Sequence, residues 1–545
     1  MLILGFLVDS CGVGNKPVVS ANPPAAILSK RDIPDDDIEI PFTPIMAMAP
    51  DGGVAMMRVA EKKKLVFEHY SADTLGVDWS IPIDKQKGDS WDMQMQYKNG
   101  LLCCMGPHRY ADGDSVAIHT MVIDPKTHTI QKEQWSSRGE AGMPTIWHPR
   151  PLLSQYSSEM SPDSNISLFY RMDNTDLLNS DDTTPKAAKM HCEMYQSDCT
   201  PKKSFDLSIP APVSASNAEL VLIHKGFKID NLGNMYHIKF IQPDKLEVTQ
   251  YPLGNTTAPV TLSASLKNCD LNSDFKITTP LITFDPVTNA MLVTAIRAHI
   301  GSGGLFMPRV MSVMMDGASR GLVHASFDFS SKQVQSFQYE PERDFLDTLI
   351  DQKTLNDYRL IKVVHDNSQH RTHIFMEKRQ KGISSTTTMS YTPNLKSTDP
   401  GGSTAQYHAS EWTSHTYHHP FNNCMGLLLL AFDDAGTPLW QYPLPKDQSN
   451  KIDYFLRQIN PANFDIYYVD RETKLEGLQK RNFDLASGRL SQAQNILQFE
   501  SDTYILTNYT LWQNPNTALM FAAGSTTWGG QLRTRNPMLF KLTTQ

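Results

Sequence analysis

The chain has 545 residues and a formal net charge of −8, and its one short basic run, EKKK at 61–64, argues against a nucleic-acid partner. No apolar run approaches the roughly 20 residues of a transmembrane helix. No long Gly/Ser-rich or Pro-rich linker follows residue 40, so we expect one large unit instead of the several domains that length alone suggests.

The N-terminus predicts an export signal. Residues 1–11, MLILGFLVDSC, place a short apolar run just ahead of Cys11, and a polar, Pro-containing segment follows. This arrangement resembles a bacterial lipoprotein signal, in which the cysteine is lipidated and becomes the first mature residue. Another secretory signal and a buried N-terminal strand of a cytosolic chain are the alternatives. We expect 12–40 to be a linker that also supplies a closing strand, and 41–545 to form the main fold.

Two distant stretches share one pattern of turn and strand residues. The order Asp, Gly, Trp, Pro, Lys occurs in YSADTLGVDWSIPIDK at 70–85 and in AFDDAGTPLWQYPLPK at 431–446. Weaker copies surround Asp124, Asp285, Asp328, Asp470 and Asp484. An Asp at the first turn position accepts backbone amide hydrogen bonds, and Gly or Asn adopts the left-handed conformation that follows. We therefore interpret Asp433 and Asp434 as a strand-to-strand corner and not as a catalytic pair.

Between the corners the chain consists of short, strand-length apolar runs, such as MGLLLLAF at 425–432. Continuous apolar runs indicate burial on both faces, as when a small sheet is stacked between two others. The sequence therefore predicts an all-β fold, a single β-propeller of seven or eight four-stranded blades, with eight preferred. The candidate blades are 42–84, 86–136, 142–210, 218–266, 274–332, 357–446, 451–494 and 497–545.

Two features are expected to complete this architecture. The last unit ends in PMLFKLTTQ, which reads as an inner strand, so we expect the ring to close with an outer strand from around residues 17–30. One helix is predicted at 343–355, where Phe345, Leu346 and Leu349 share a face. We interpret this helix as an insertion between blades.

The corner AFDDAGTPLW resembles the repeat of quinoprotein-type β-propellers. In that repeat an apolar-Asp-x-x-Thr-Gly turn leads to a Trp, and Asp433 or Asp434, Gly436 and Trp440 take the matching roles. The resemblance covers most of the chain as loose copies of the corner. It implies a propeller fold and raises the question of a quinone cofactor.

Two adjacent cysteines bear on that question. Quinone-dependent alcohol dehydrogenases of this class carry such a pair beside the cofactor, and LLCCMGPH places Cys103 next to Cys104. However, neighbouring residues on a strand point to opposite faces of the sheet. We therefore interpret both residues as packed core cysteines and predict no cofactor.

The other cysteines permit disulfides if the chain is exported. Apart from Cys11 the cysteines are Cys103, Cys104, Cys192, Cys199, Cys269 and Cys424. Cys192 and Cys199 are close enough in sequence to bridge a hairpin, and the sequence leaves the rest of the connectivity open.

The segment 379–420 is a polar insertion, which we expect to be a long loop. It is rich in Ser, Thr, Gly and His, and loops of this length are usually functional or disordered; both interpretations stay open here. Aromatic side chains among hydrogen-bonding ones suit protein or glycan surfaces. The candidate binding residues are Tyr407, Trp412, Tyr417 and His418. Its histidines have no carboxylate or thiolate at ligand spacing, so no metal site is predicted.

The predicted function is that of a non-catalytic, envelope-anchored lipoprotein of a Gram-negative bacterium, with the outer membrane as its expected location. It would act as a scaffold or recognition subunit of a protein or glycan-handling assembly. Envelope proteins are the expected partners, glycan is a further candidate, and no catalytic residue is assigned. The alternative is an enzyme at the axial channel, either polysaccharide-active or a quinone-dependent oxidoreductase. Fold analogy alone does not decide between these functions.

Overall fold

The structure of the chain is a computed structural model. It describes residues 19–22, 25–33, 45–60, 64–83, 90–91, 93–110, 115–136, 139–140, 156–172, 186–211, 226–241, 245–253, 258–266, 275–277, 280–299, 319–339, 358–392, 411–450, 455–460, 462–471, 475–500, 503–505, 510–514, 516–528 and 531–544.

The described residues form antiparallel β-strands and no helix. The first twelve strands are β1 (Val19–Ala21), β2 (Ala25–Asp32), β3 (Ile45–Met48), β4 (Val54–Ala60), β5 (Lys64–Tyr70), β6 (Val77–Ile83), β7 (Ser90–Trp91), β8 (Gln94–Lys98), β9 (Leu101–Arg109), β10 (Ser115–Asp124), β11 (Thr129–Trp135) and β12 (Gly139–Glu140). The next thirteen are β13 (Ser157–Met160), β14 (Ile166–Met172), β15 (Lys186–Gln196), β16 (Pro201–Ala211), β17 (Phe227–Ile229), β18 (Met235–Ile241), β19 (Lys245–Tyr251), β20 (Val260–Ser265), β21 (Phe275–Ile277), β22 (Leu281–Phe284), β23 (Met291–His299), β24 (Ser319–Asp328) and β25 (Gln333–Tyr339). The last thirteen are β26 (Tyr358–Asp366), β27 (Arg371–Thr392), β28 (Glu411–Asp433), β29 (Pro438–Asn450), β30 (Phe455–Asn460), β31 (Asn463–Arg471), β32 (Leu475–Asp484), β33 (Arg489–Leu490), β34 (Gln494–Glu500), β35 (Thr503–Ile505), β36 (Leu511–Asn514), β37 (Thr517–Trp528) and β38 (Gln531–Thr544).

These strands form eight sheets, which are the eight blades of a β-propeller. In chain order the blades are β3 to β6, β7 to β12, β13 to β16, β17 to β20, β21 to β25, β26 to β29, β30 to β34, and β35 to β38 with β2. First strands of consecutive blades contact one another, as β3 contacts both β8 and β36. The predicted fold class, with its preferred count of eight blades, is confirmed.

The blades pack face to face, and this explains the continuous apolar runs of the sequence. The third strand of blade 2, β10, is buried at eight consecutive positions because blades 1 and 3 cover its two faces. One core cluster joins Phe67 of blade 1 to Cys104 of blade 2, and another joins Cys103 of blade 2 to Phe169 of blade 3. A strand with one solvated face would alternate instead. The interfaces between blades are therefore the hydrophobic core.

The N-terminal strand closes the ring, as expected. Strand β2 pairs antiparallel with β38, from Ala25 opposite Thr544 to Asp32 opposite Met538, and becomes the fourth strand of blade 8. Strand β1 pairs with β34 and adds a fifth strand to the outer edge of blade 7. The first and last parts of the chain are thus joined through backbone hydrogen bonds.

The turns at Asp124, Asp285, Asp328, Asp433 and Asp484 are corners, as the sequence indicates, whereas Asp470 lies within β31. Asp433 Oδ1 accepts hydrogen bonds from the amides of Ala435 and Thr437 at 3.0 and 2.7 Å. Gly436 follows with a φ of +83°, and a Cβ there would lie 2.2 Å from the Cβ of Phe337 in the neighbouring blade. Both the backbone conformation and the close approach of blade 5 require glycine at this position.

The antiparallel order places the connections on two distinct faces of the ring. Corners between first and second strands and between third and fourth strands lie on one face, which we call the corner face. Connections between second and third strands, and from one blade to the next, lie on the opposite face, which we call the loop face. The longest connections, around 300–318, 340–357 and 393–410, all start and end there. The described strand ends therefore place these connections on one side of the molecule.

Hydrogen bonds join consecutive blades along the corner face. The Asn231 side chain accepts from the amide of Asp163, which links blade 4 to blade 3 at 2.9 Å. Asn289 of blade 5 donates to Asp230 of blade 4 at 3.2 Å. Asn367 of blade 6 donates to both oxygens of Asp285 in blade 5. The turn carboxylates thus satisfy their own corners and also fix the spacing between blades.

The predicted polar insertion differs from the structure in one respect. Its flanks at 379–392 and 411–420 are not loop, because β27 and β28 continue through them as a paired ribbon, with Tyr391 opposite Trp412. Ser- and Thr-rich segments are compatible with strands, and pairing satisfies their backbone groups. The tip at 393–410 and the predicted helix at 343–355 lie outside the described residues.

The structure places Cys192 and Cys199, the candidate disulfide pair, at different blade interfaces. Both residues, like Cys103 and Cys104, are free thiols in this structure, and they lie in different core clusters. Cys192 packs between blades 3 and 4, whereas Cys199 packs between blades 2 and 3. Proximity in the sequence therefore does not bring the two sulfurs to the same side of blade 3.

A candidate binding cleft between blades 2 and 3

A cavity of about 720 Å³ opens between blades 2 and 3. Its walls come from the third and fourth strands of blade 2 and from the second to fourth strands of blade 3. The lining residues are Thr120, Gln134, Trp135, Ser136, Arg171, His191, Glu193, Tyr195, Pro201, Ser204 and Asp206. We call this cavity the cleft. None of its lining residues belongs to the first strand of either blade. Its volume is within the usual range for a ligand site.

Strand alternation explains how polar residues reach the cleft from an apolar blade. On β15, His191, Glu193 and Tyr195 occupy every second position and point toward blade 2. The intervening Met190, Cys192 and Met194 point the other way, into the core between blades 3 and 4. One strand therefore supplies a hydrophobic face to one neighbour and a polar face to the other.

Glu193 is the centre of a buried hydrogen-bond network. Its Oε1 accepts from the Tyr156 hydroxyl at 2.6 Å, and its Oε2 accepts from the Tyr195 hydroxyl at 2.9 Å. His191 Nε2 lies 3.4 Å from Oε1. Burial opposes ionisation of the carboxyl, but these hydrogen bonds outweigh it and lower the pKa of Glu193. The network therefore holds a carboxylate inside the cleft.

His191 connects this carboxylate to a second one. Its Nδ1 lies 2.8 Å from Oδ1 of Asp206, whose side chain is exposed. The hydrogen bond to Glu193 raises the pKa of His191, partial burial opposes the rise, and the bond to Asp206 adds to it. The ring is thus stabilised as an imidazolium between two carboxylates, which fixes its orientation.

Blade 3 differs from three other blades in the residue that is paired with the histidine of its third strand. In three blades the register partner on the fourth strand is an aromatic ring, in the pairs His69–Trp79, His119–Trp135 and His324–Phe337. In blade 3 the partner of His191 is Asp206. The three aromatic pairs bury their histidines, whereas the His191–Asp206 pair faces the cleft and is open to solvent.

Arg171 forms the end wall of the network. Its guanidinium carbon lies 5.6 Å from the centre of the Tyr156 ring, within the range of a cation–π contact. A Cβ at Gly139 of blade 2 would lie 2.5 Å from the same carbon. The guanidinium of blade 3 therefore packs directly against the Gly139 backbone of blade 2, and a larger residue there would require the arginine side chain to shift.

The opposite wall carries an aromatic group. Trp135 is 42% exposed and stacks on His119 with 3.7 Å between ring centres and 6° between planes. His119 Nε2 is 2.8 Å from Oε1 of Glu133, which fixes the imidazole, and His108 meets the indole edge-on. The indole is therefore held rigidly while part of its surface stays accessible at the cleft.

Blade 1 contains a closed counterpart of the blade 3 network. Glu68 and Tyr70 repeat the Glu-x-Tyr spacing on a third strand, and the Tyr70 hydroxyl donates to Glu68 at 2.5 Å. Here Arg58 fills the site with two hydrogen bonds to Glu68, at 2.8 and 2.9 Å. A buried, bidentate ion pair of this kind is structural. The same residue types thus form a closed, buried ion pair in blade 1 and the lining of an accessible cleft in blade 3.

The binding residues predicted from the sequence lie elsewhere. Trp412, Tyr417 and His418 are on β28 of blade 6, where their backbone partners are Tyr391, Thr386 and Ser385. Tyr407 and Cys11 lie outside the described residues. The cleft was not predicted from the sequence. The only signal for it is the alternation of polar and apolar residues in HCEMYQ on β15.

Comparisons with known proteins assign no family to this chain. No protein-family model and no curated protein matches the chain. Among solved structures, the polysaccharide lyase Uly1 aligns at 9% identity and a TM-score of 0.37, covering 83% of this chain and 89% of that one. Apo AztD from Citrobacter koseri aligns at 8% and 0.30, covering 84% and 90%. Cobalt-substituted Synechocystis ACO aligns at 8% and 0.33, covering 88% and 94%. Likenesses this weak carry no argument about function, and the quinoprotein resemblance is confirmed by no family match.

The described residues contain neither a candidate membrane span nor a candidate metal-binding group of side chains. No helix there is long and apolar enough to cross a membrane. Within the same residues, no group of three or more His, Cys, Asp and Glu side chains is arranged to hold a metal ion.

Proposed function

We propose that this protein is a non-catalytic recognition module that binds a polyhydroxylated ligand of the glycan class in the cleft. The observation that carries the proposal is the pairing of an exposed, rigid indole on blade 2 with a fixed polar wall on blade 3. Aromatic rings offer an apolar contact to the C–H face of a sugar, and carboxylate, imidazolium and amide groups bond its hydroxyls. The combination of the two groups suits a saccharide better than a purely apolar ligand.

The charge of the cleft supports a neutral or weakly charged ligand. Arg171 and His191, whose protonated form is favoured by its two carboxylate neighbours, lie beside Glu193 and Asp206. Sugar hydroxyls donate and accept, so they satisfy both signs at once. A strongly anionic or cationic ligand would meet as much repulsion as attraction.

The same contacts favour binding over acid–base catalysis. Burial and the neighbouring Glu193 raise the pKa values of Tyr156 and Tyr195 well above their usual range, so neither phenol is a ready base at neutral pH. Glu193 already accepts from two hydroxyls and contacts His191. The enzyme alternative, action on a polysaccharide, requires one of these groups to be released.

Glycan binding can be tested with matched variants. An array of neutral and acidic oligosaccharides identifies a binder, and calorimetry then measures its affinity. We expect Trp135→Ala and His191→Asn each to weaken binding about tenfold, which corresponds to one lost stacking or charged contact. Leu439→Ala, an exposed apolar residue outside the cleft, and His370→Asn, whose ring pairs with Asp434 on the surface, should leave affinity unchanged.

Three outcomes bear against this proposal. Binding to no member of the array removes the glycan class, and equal loss in the cleft and control variants removes the cleft as the site. Cleavage of the bound oligosaccharide by the wild type, detected by mass spectrometry, would replace the recognition module by the enzyme alternative.

The proposal also includes an envelope location through a lipid on Cys11 and an envelope protein partner that contacts Tyr407, Trp412, Tyr417 and His418. The lipoprotein-like sequence and the aromatic insertion support this part. In a Gram-negative host, we expect the wild type in the membrane fraction and Cys11→Ala in the soluble fraction. A soluble wild type would contradict the anchor, and partner capture that survives alanine at all four positions would contradict the contact residues.

A further inference from the structure

Four buried cysteines of blades 2 and 3 are distributed among three interfaces. Cys104 packs against blade 1, and Cys192 packs against blade 4. Cys103 and Cys199 both lie in the cluster between blades 2 and 3, and each is 1% exposed. Neighbours on a strand point to opposite faces, so Cys103 cannot share an interface with Cys104. Within this set, Cys103 and Cys199 form the one pair that faces the same interface.

The Cys199 sulfur is placed directly against the backbone that carries Cys103. Its Sγ lies 3.4 Å from the carbonyl oxygen of Cys104 and 3.5 Å from that of Met121. Cys199 is on the corner between β15 and β16, with a φ of +65°. This left-handed conformation is uncommon for a residue with a Cβ, and it directs the side chain into blade 2.

The two thiols also interact with each other. A hydrogen bond from Cys199 lowers the pKa of Cys103, and the same contact, with burial, raises the pKa of Cys199. The thiolate is the reactive form in disulfide exchange, so this contact places a thiol with a lowered pKa beside a second thiol.

We propose that Cys103 and Cys199 are joined by a disulfide that links blade 2 to blade 3 when the chain folds in an oxidising environment. The Cys103 thiolate attacks one sulfur of a small-molecule disulfide oxidant, which releases one thiolate and leaves a mixed disulfide on Cys103. The Cys199 thiol then loses its proton and attacks the Cys103 sulfur, which releases the second thiolate. Two thiols of the chain are thereby oxidised, and one oxidant disulfide is reduced to two thiols.

The position of this bond gives it a defined structural role. The same cluster contains Tyr156 and Tyr195, whose hydroxyls hold Glu193 in the cleft. A covalent link there fixes the distance between the two blades that form the cleft walls. It closes a loop that includes most of blades 2 and 3, and long loops are those for which cross-linking restricts the unfolded chain most. The inference rests on the packing of the thiols and does not depend on the ligand.

The experiment uses the full chain, refolded in a buffer of oxidised and reduced glutathione. The product is denatured, alkylated without reduction, digested and analysed by mass spectrometry. We expect a peptide pair linked through Cys103 and Cys199, with Cys104 and Cys192 alkylated. The melting temperature of the oxidised protein should fall by about 5 °C after reduction.

Matched variants separate this bond from other pairings. Cys103→Ser and Cys199→Ser should each lose the linked peptide, free the remaining thiol and remove the effect of reduction on melting. Cys192→Ser should behave as the wild type. Alkylation of both Cys103 and Cys199 in the wild-type product, or a link to a different cysteine, would overturn the inference, and this result needs no variant to fold.

Discussion

Removing residues 1–32 is expected to leave a chain that aggregates or unfolds near room temperature. The deletion takes away β2, so β38 becomes an unpaired edge strand at the seam of the ring. Seven residues of β2 pair with β38, and with net contributions of about 1 kcal/mol per hydrogen bond the loss is on the order of 5 kcal/mol before any loss of packing. That is a large part of the stability of an ordinary domain.

A shorter deletion is the matched control for this prediction. Removing 1–17 leaves both β1 and β2 in place, and we expect its melting temperature to equal that of the full chain. Circular dichroism and size-exclusion chromatography compare the two proteins. A folded, monomeric 33–545 chain would show that blade 8 is stable with three strands and that the closing strand is dispensable.

The Arg58→Met substitution is expected to lower the free energy of unfolding by about 3–5 kcal/mol, the typical effect of removing one partner of a buried ion pair. Arg58 and Glu68 are almost fully buried and joined by two hydrogen bonds. After the substitution, Glu68 loses both hydrogen bonds from Arg58 and keeps the one from the Tyr70 hydroxyl. Urea denaturation measures the change, and Lys245→Ala, which removes a surface pair with Glu247, should alter stability by less than about 1 kcal/mol.

The double variant Arg58→Met/Glu68→Gln separates the effect of an unpaired buried charge from the effect of lost packing. Replacing the carboxylate by an amide removes the uncompensated charge while Tyr70 keeps an acceptor, so the double variant should be more stable than Arg58→Met alone. A double variant as unstable as the single one would contradict the ion-pair explanation and indicate lost packing instead.

The Arg58–Glu68 ion pair should also make the stability of the protein depend on pH in the acid range. Burial raises the pKa of Glu68, but the bonds from Arg58 and Tyr70 outweigh burial and leave it below the usual value. A carboxyl whose pKa is lowered by folding stabilises the protein above its unfolded pKa of about 4.3 and loses this contribution as the pH falls through the folded value. The wild type should therefore lose more stability than the double variant between about pH 5 and pH 3.

The blade architecture was readable from the sequence because its signals are local. Corners such as Asp285 and Asp433 combine a turn carboxylate with a nearby Gly or Asn, and both are corners in the structure. The apolar runs between them are strands whose two faces are covered. Length, turn chemistry and hydrophobicity all act within about ten residues, so no long-range contact had to be known.

The cleft could not be predicted because it is assembled by packing between blades. Trp135 comes from blade 2 and His191 from blade 3, and neither type is unusual in a strand. The direction of a side chain depends on strand register, which a sequence specifies only after the strand ends are known. The same limit applies to the cysteines, since Cys192 and Cys199 are near in sequence but face different blades.

If Cys11 carries a lipid, the position of strand β1 determines which part of the propeller lies nearest the membrane. It lies on the outer edge of blade 7, and Val19 is eight residues after Cys11. A lipid on that cysteine would hold the rim of blade 7 within about 28 Å of the bilayer, the reach of an extended segment of that length. Blades 2 and 3 are nearly opposite blade 7 in an eight-membered ring. A lipid at that position would therefore leave the cleft on the part of the ring that lies far from the anchor point.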